Sequence, residues 1–431
     1  VAASTTVTWE DAPGDEDPAR RAAQIASLTG LRGFAALMVV LIHTSVLTEF
    51  SWLGVPEYGP VSLFVLSGFL LYRPWARWGM RTGSRPDVLD FARRRLLRIF
   101  PAYLVVLLVV SVVYADDRPE GAREWFQAAS LTWIYTTQDS VRNSLFQTWS
   151  LATELSWYVA LPIMGGVAAL AARRMDPRTG LRVTAALLCL SVPISFGYRR
   201  WVETEGLEDY LTYTLWLPAF LFCFAAGAMV TLLLEGERAR LVRLTALRRV
   251  CEDRWALLVL AVAVALVGTS SVAGPDGFAD IAYGEQQLRV SCAAVVAVLL
   301  LLVAVFGPPS GPVNRVLSAP WSNAIGRWSY GIYLWHLPVV VVLERDLTFT
   351  DGLGGLLWRL AMVLAVSVPL GAATYAWVER PTMAWARRRY PSTSPSRGRR
   401  VLDPPTAASS STADQPSAAT ADTQRRRSPE A

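Results

Sequence analysis

The chain has 431 residues, 53% of them hydrophobic and 18% charged, with a formal net charge of +6. Its apolar residues come in blocks about 17–25 long, enough to cross a bilayer, which excludes an ordinary soluble domain with one large core. All 41 basic residues are arginine, and they collect in loops on one side of the predicted topology, so the charge calls for no nucleic-acid partner.

Residues 1–27 are polar and acidic (Glu10, Asp11, Asp15, Glu16, Asp17) with no apolar h-region, and read as a disordered leader rather than a signal peptide. About ten apolar spans follow, near 33–50, 58–76, 97–115, 147–171, 181–198, 210–234, 255–273, 288–306, 322–343 and 355–378. The stretch Trp125 to Tyr135 is too short to cross and reads as interfacial or re-entrant. Beyond Tyr390 the chain turns to Pro, Ser, Thr and Ala, which predicts a disordered tail over 391–431. The fold class expected is an all-α integral membrane protein, with residues 28–390 as one transmembrane domain. Cys189, Cys223, Cys251 and Cys292 are scattered without metal-ligand or redox spacing, and no metal is expected.

The connections alternate in charge. Arg77, Arg81, Arg85, Arg93, Arg94 and Arg95 join spans 2 and 3, and Arg173, Arg174 and Arg178 join spans 4 and 5. Spans 6 and 7 are joined by Arg238, Arg240, Arg243, Arg248, Arg249 and Arg254. The alternate connections carry Glu49 and Glu57, then Glu203, Glu205, Glu208 and Asp209, then Asp276, Asp280 and Glu285. Positive loops face the cytoplasm, so both termini are predicted to be cytoplasmic, in a multi-pass protein of the cytoplasmic membrane.

Few ionisable groups lie within the spans. Arg32 and His43 are 11 residues apart, close to three helical turns, so they share one helix face about 16 Å apart along the axis. A titratable group in an apolar span is costly and is by default a functional candidate; the competing reading is a histidine hydrogen-bonded between packed helices. Glu154 on span 4 and His336 on span 9 each lie seven residues from the outer end of their span, as His43 does. All three therefore sit about 10 Å below the outer surface, and His43 and Glu154 could touch if their helices are neighbours. For His336 a structural role competes, because Pro338 frees a carbonyl one turn back that the imidazole could satisfy. At the opposite surface Arg94 and Arg95 stack against Arg98 at helical spacing. Such runs commonly set topology or touch lipid head groups, yet guanidinium forks also grip phosphate.

Six segments then carry a resemblance. LTGLRGFAALMVVLIH holds Arg32 and His43; SLFVLSGFLLYRP and RRRLLRIFPAY follow; then TWSLATELSWYVALP around Glu154, SYGIYLWHLP with His336, and WVERP (Trp377 to Pro381). In this order they resemble the membrane-bound acyltransferase-3 family, which acylates sugars and related hydroxyl compounds, across most of residues 24–390. The chain departs from the family's commonest pattern in having Gln147 before the TWSLA segment and Leu155 and Ser156 after Glu154.

The resemblance implies an acyl-CoA donor, most often acetyl-CoA, entering from the cytoplasm, with Arg32, Arg95 and Arg98 binding its phosphates. It implies that His43 acts at the thioester as general base or as nucleophile, with Glu154 orienting the imidazole. His336, Ser67, Trp149 and Tyr158, from the same motifs, are candidate substrate contacts or structural support. The acceptor expected is a carbohydrate or glycoside hydroxyl at the lipid bilayer. The rival reading is a proton-coupled transporter or flippase, with His43, Glu154 and His336 as a proton relay and an inverted repeat that the sequence does not display.

Overall fold

In the computed structural model of the chain, residues 18–46, 48–54, 57–114, 118–136, 143–206, 210–253, 255–275 and 281–390 are described. The first seventeen residues of the predicted leader and the predicted tail 391–431 lie outside them. A single helix, α1 (Pro18–Ser45), carries both Arg32 and His43. It begins ten residues before the predicted start of the transmembrane domain at residue 28, a difference with a simple cause. Pro18 occupies the first helical turn, where its missing N–H is harmless, and Ala22, Ala23, Gln24 and Ala26 are strong helix formers despite modest hydropathy.

The helices that follow are α2 (Tyr58–Gly79), α3 (Val88–Val113), α4 (Gly121–Ser130), α5 (Trp149–Arg173), α6 (Pro177–Cys189), α7 (Ser191–Glu205) and α8 (Tyr210–Thr214). After them come α9 (Leu217–Arg238), α10 (Thr245–Glu252), α11 (Ala256–Gly268), α12 (Tyr283–Phe306), α13 (Pro312–Leu317), α14 (Pro320–Asp346) and α15 (Gly352–Thr374). A π-turn over Tyr375–Glu379 leads into α16 (Arg380–Arg389). Every predicted span overlaps a helix, and the described residues contain no strand.

Among the described residues, eight helical runs are long and apolar enough to cross a membrane. Two predicted spans stand apart. α11 has 13 residues. α14 has 27, but its polar and aromatic residues, Asn323, Arg327, Tyr330, Tyr333 and His336, lower its hydropathy. The expected interfacial piece is α4 plus a short 3-10 turn, Trp133–Tyr135, and Tyr103 of α3 holds it by donating from its hydroxyl to the Ala128 carbonyl at 2.6 Å.

Close approach of helices positions the site. In a bilayer, lipid is as apolar as leucine, so helices associate through tight packing of small residues. α1 meets α14 at Gly33 and Gly326: a Cβ on Gly326 would fall 2.0 Å from the Thr29 carbonyl oxygen. α2 meets α9 in the same manner at Gly68 and Gly227, where each Cβ would fall 1.9 Å from a carbonyl oxygen of the other helix. At one end of that pair Glu235, 5% exposed, forms ion pairs with Arg73 at 2.8 Å and with Arg238.

Candidate active site

The two histidines of the chain face one another across the α1–α14 contact. His336 Nε2 lies 3.3 Å from His43 Nδ1, with ring centroids 5.0 Å apart. The carbonyls around them fix their protons. His336 Nδ1 lies 2.6 Å from the Tyr333 carbonyl oxygen, which can only accept, so Nδ1 carries the proton and Nε2 a lone pair. His43 Nδ1 lies 2.9 Å from the Val39 carbonyl oxygen and donates to it and to His336 Nε2. The remaining nitrogen, His43 Nε2, therefore carries a lone pair and has no hydrogen-bond partner among the described residues.

The proline in α14 shapes this face. Pro338 has no N–H, so the Leu334 carbonyl one turn back lacks its helical donor. Gln147 supplies it: its side-chain amide donates to the Leu334 oxygen at 3.0 Å. The His336 imidazole, for which this role competed with a functional one, turns instead to the Tyr333 carbonyl and to His43. Tyr333 ties the same region together, donating from its hydroxyl to the Gln147 carbonyl and lying 3.0 Å from Ser150 Oγ.

Glu154 occupies a different place from the one expected. Among the described residues its carboxylate accepts hydrogen bonds from the Ser67 hydroxyl and, at 2.8 Å, from the Tyr158 hydroxyl, and none from His43. Helix neighbours explain the difference. α5 packs on α2, which carries Ser67, whereas α1 packs on α14, so the side chain facing His43 is His336. Glu154 interacts electrostatically with Arg32 and Arg95 instead. Trp149 is a packing residue, 6% exposed, with its ring 5.4 Å from that of Phe220 and 6.0 Å from that of Phe64.

Arg32 lies near Arg95 and Arg98, feeling the charges of both. Arg95 lies over the Phe91 ring at 5.8 Å. None of the three forms an ion pair or hydrogen bond with a described residue, and the Arg95 Nε is buried without a partner. Three guanidinium groups gathered without counter-ions in contact form a natural seat for an anionic ligand with several oxygens. Three residues to which sequence reasoning assigned no site role also bear on the site, two of them beside His336 and one beside the arginines. Gln147 and Tyr333 hold α14 in place, and Glu379 is electrostatically coupled to Arg98 and Arg32. All three lie within or beside the recognised motifs, but nothing in their spacing shows where they point.

Comparison with known proteins bears on the family of the chain. The acyltransferase-3 family, described as an acyltransferase domain, matches residues 25–376. Among the relatives, YrhL of Bacillus subtilis is 26% identical over 371 residues, covering 83% of this chain and 54% of its own length. Acyltransferase MdmB of Streptomyces mycarofaciens is 25% identical over 400 residues, 86% of this chain and 95% of its own. O-acetyltransferase OatA of Staphylococcus aureus is 24% identical over 340 residues, 74% of this chain and 51% of its own. The chain thus spans about half the length of YrhL and OatA and nearly all of MdmB. No solved structure matches it. With its match running from α1 into the π-turn, and with helices suited to a membrane, the chain belongs to the acyltransferase-3 family of membrane acyltransferases.

Proposed function

We propose that the chain transfers an acyl group, most simply acetyl, from acyl-CoA to a hydroxyl of a glycan or sugar-bearing acceptor. One observation carries the reading: Arg32, which gathers with Arg95 and Arg98 of α3, and His43, whose Nε2 has no partner among the described residues, lie along one helix, α1. The guanidinium groups grip the donor's phosphates from the cytoplasmic side. The pantetheine arm then runs along α1 toward His43, about 16 Å away by helical rise.

At the thioester, His43 Nε2 takes the proton of the acceptor hydroxyl as the oxygen attacks the carbonyl carbon. The C–S bond breaks, and the CoA thiolate leaves and receives the proton. In the covalent variant, Nε2 itself attacks the carbonyl and the C–S bond breaks; the acceptor oxygen then displaces the imidazole, its proton passing to the CoA thiolate. In both, the imidazole becomes cationic, and its Nδ1 proton faces the lone pair of His336 Nε2 and the Val39 carbonyl. His336 thus serves the positioning and charge-spreading role that a carboxylate serves in other nucleophile–histidine arrangements. The names of MdmB and OatA support acyl, and specifically O-acetyl, chemistry.

The test is CoA release by detergent-purified protein given acetyl-CoA and a carbohydrate acceptor, for wild type and for Arg95→Ala and Arg98→Ala. The expected result is turnover by wild type, with KM for acetyl-CoA raised about tenfold or more in each variant. Wild type that neither binds nor consumes acetyl-CoA would contradict the proposal.

A further inference from the structure

Glu379 is the group near the arginine cluster that the reading above leaves without a task. It ends the π-turn Tyr375–Glu379, just before Pro381 in the first turn of α16. Proline offers no N–H to the carbonyl one turn back, and a π-turn is a common way for a continuous helix to absorb that loss. The wider turn sets Glu379 beside α3 and α14, where it is electrostatically coupled to Arg98, Arg32 and Tyr330. Tyr330 in turn donates from its hydroxyl to the Ile99 carbonyl of α3 at 2.8 Å.

A partly buried carboxylate beside two guanidinium groups would ordinarily close into a forked ion pair. Here it does not. Glu379 forms no ion pair with a described residue, its Oε1 is buried without a hydrogen-bond partner, and the Arg95 Nε is in the same condition. Anion and cations therefore form no ion pair, and Glu379 Oε1 and Arg95 Nε each keep unused hydrogen-bonding capacity. A ligand completing both must present anionic oxygens to the arginines and an N–H or O–H donor to the carboxylate. An inorganic anion meets the first need and is repelled at the second. A phosphorylated nucleoside meets both, through its phosphates and through the exocyclic amine of adenine or a ribose hydroxyl.

We infer that Glu379 accepts a hydrogen bond from the nucleotide part of the donor while Arg32, Arg95 and Arg98 hold its phosphates. The carboxylate then separates coenzyme A from acyl carriers that lack the adenosine end. The inference rests on the acyl-CoA reading and deepens it.

The experiment compares acetyl-CoA with S-acetyl-pantetheine, which lacks the nucleotide, as donors for wild type, Glu379→Ala and Glu379→Gln. With acetyl-CoA, Glu379→Ala raises KM about tenfold or more with kcat nearly unchanged, and Glu379→Gln, which keeps a neutral acceptor, loses less. With S-acetyl-pantetheine all three proteins perform alike within about twofold, because the interaction removed was never formed. Equal losses with both donors, or no loss with either, in the presence of an active wild type would overturn the inference alone. Wild type inactive with both donors would overturn the acyl-CoA reading and the inference with it. Should Glu379→Ala fail to fold, Glu379→Gln carries the comparison, and a loss confined to acetyl-CoA remains the required result.

Discussion

His43 and His336, separated by 293 residues of sequence, share a single hydrogen bond in which His43 Nδ1 donates to His336 Nε2 at 3.3 Å. Because Val39 and Tyr333 offer only carbonyl acceptors, this pairing leaves one reactive lone pair, on His43 Nε2. The predictions below follow from that pair, from the helices that bring it together and from the arginine cluster around Arg32, about three turns away on α1.

Replacing His336 by Gln or Ala removes the acceptor for the His43 proton but leaves the Val39 carbonyl in place. The tautomer survives and only the support of the cationic imidazole is lost. The expected result is a fall in kcat of roughly 10- to 100-fold, the usual effect of losing an outer partner of a reactive group, with KM for the donor little changed. Steady-state kinetics with saturating acceptor separate the two parameters. A change confined to KM would place His336 in substrate binding instead.

Gly326→Val drives a side chain into the α1 backbone, since even a Cβ would meet the Thr29 oxygen at 2.0 Å. Overpacking of this kind costs about 1–3 kcal/mol, so the variant should unfold at lower temperature in detergent and lose activity as His43 and His336 separate. Gly166→Ala on α5 is the control. A Cβ there meets nothing within 4 Å, and the variant should match wild type or slightly exceed it, given the higher helix propensity of alanine.

Gln147→Leu keeps size but leaves the Leu334 carbonyl without its donor. A buried acceptor stranded in this way costs about 1–3 kcal/mol. Thermal unfolding of the purified protein should register that loss. An unchanged melting temperature would show that the carbonyl finds another donor.

If the proposed reading holds and the phosphates of acetyl-CoA meet the three guanidinium groups, its acceptor-independent binding should weaken as salt rises. Arg32→Ala should weaken binding about tenfold or more and flatten that salt dependence. Calorimetric titration at two ionic strengths checks both statements.

The span pattern is legible in the sequence because bilayer thickness imposes a minimum apolar length, and each predicted span overlaps a helix. The start of α1 is less legible, since Ala22, Ala23 and Ala26 favour a helix without raising hydropathy enough to mark one. Arg32, Arg95 and Arg98 could be grouped by helical periodicity and by their shared membrane side. The partner of His43 could not be found that way. Depth admits both Glu154 and His336, and the choice turns on the order of helices, set by the approach of Gly33 to Gly326. Glu379 is visible in the WVERP motif, but a charge at the end of a span reads as interfacial. Only the folded chain shows that it is electrostatically coupled to Arg98 and Arg32.

The most direct measurement is the fate of labelled acetyl-CoA with wild type and with His43→Ala, both purified in detergent. The account predicts that wild type releases CoA in the presence of a carbohydrate acceptor. It predicts that His43→Ala binds acetyl-CoA with nearly unchanged affinity and releases none above background. Label retained on wild type before acceptor is added would select the covalent variant of the mechanism. Acetyl transfer by His43→Ala at close to the wild-type rate would contradict the account.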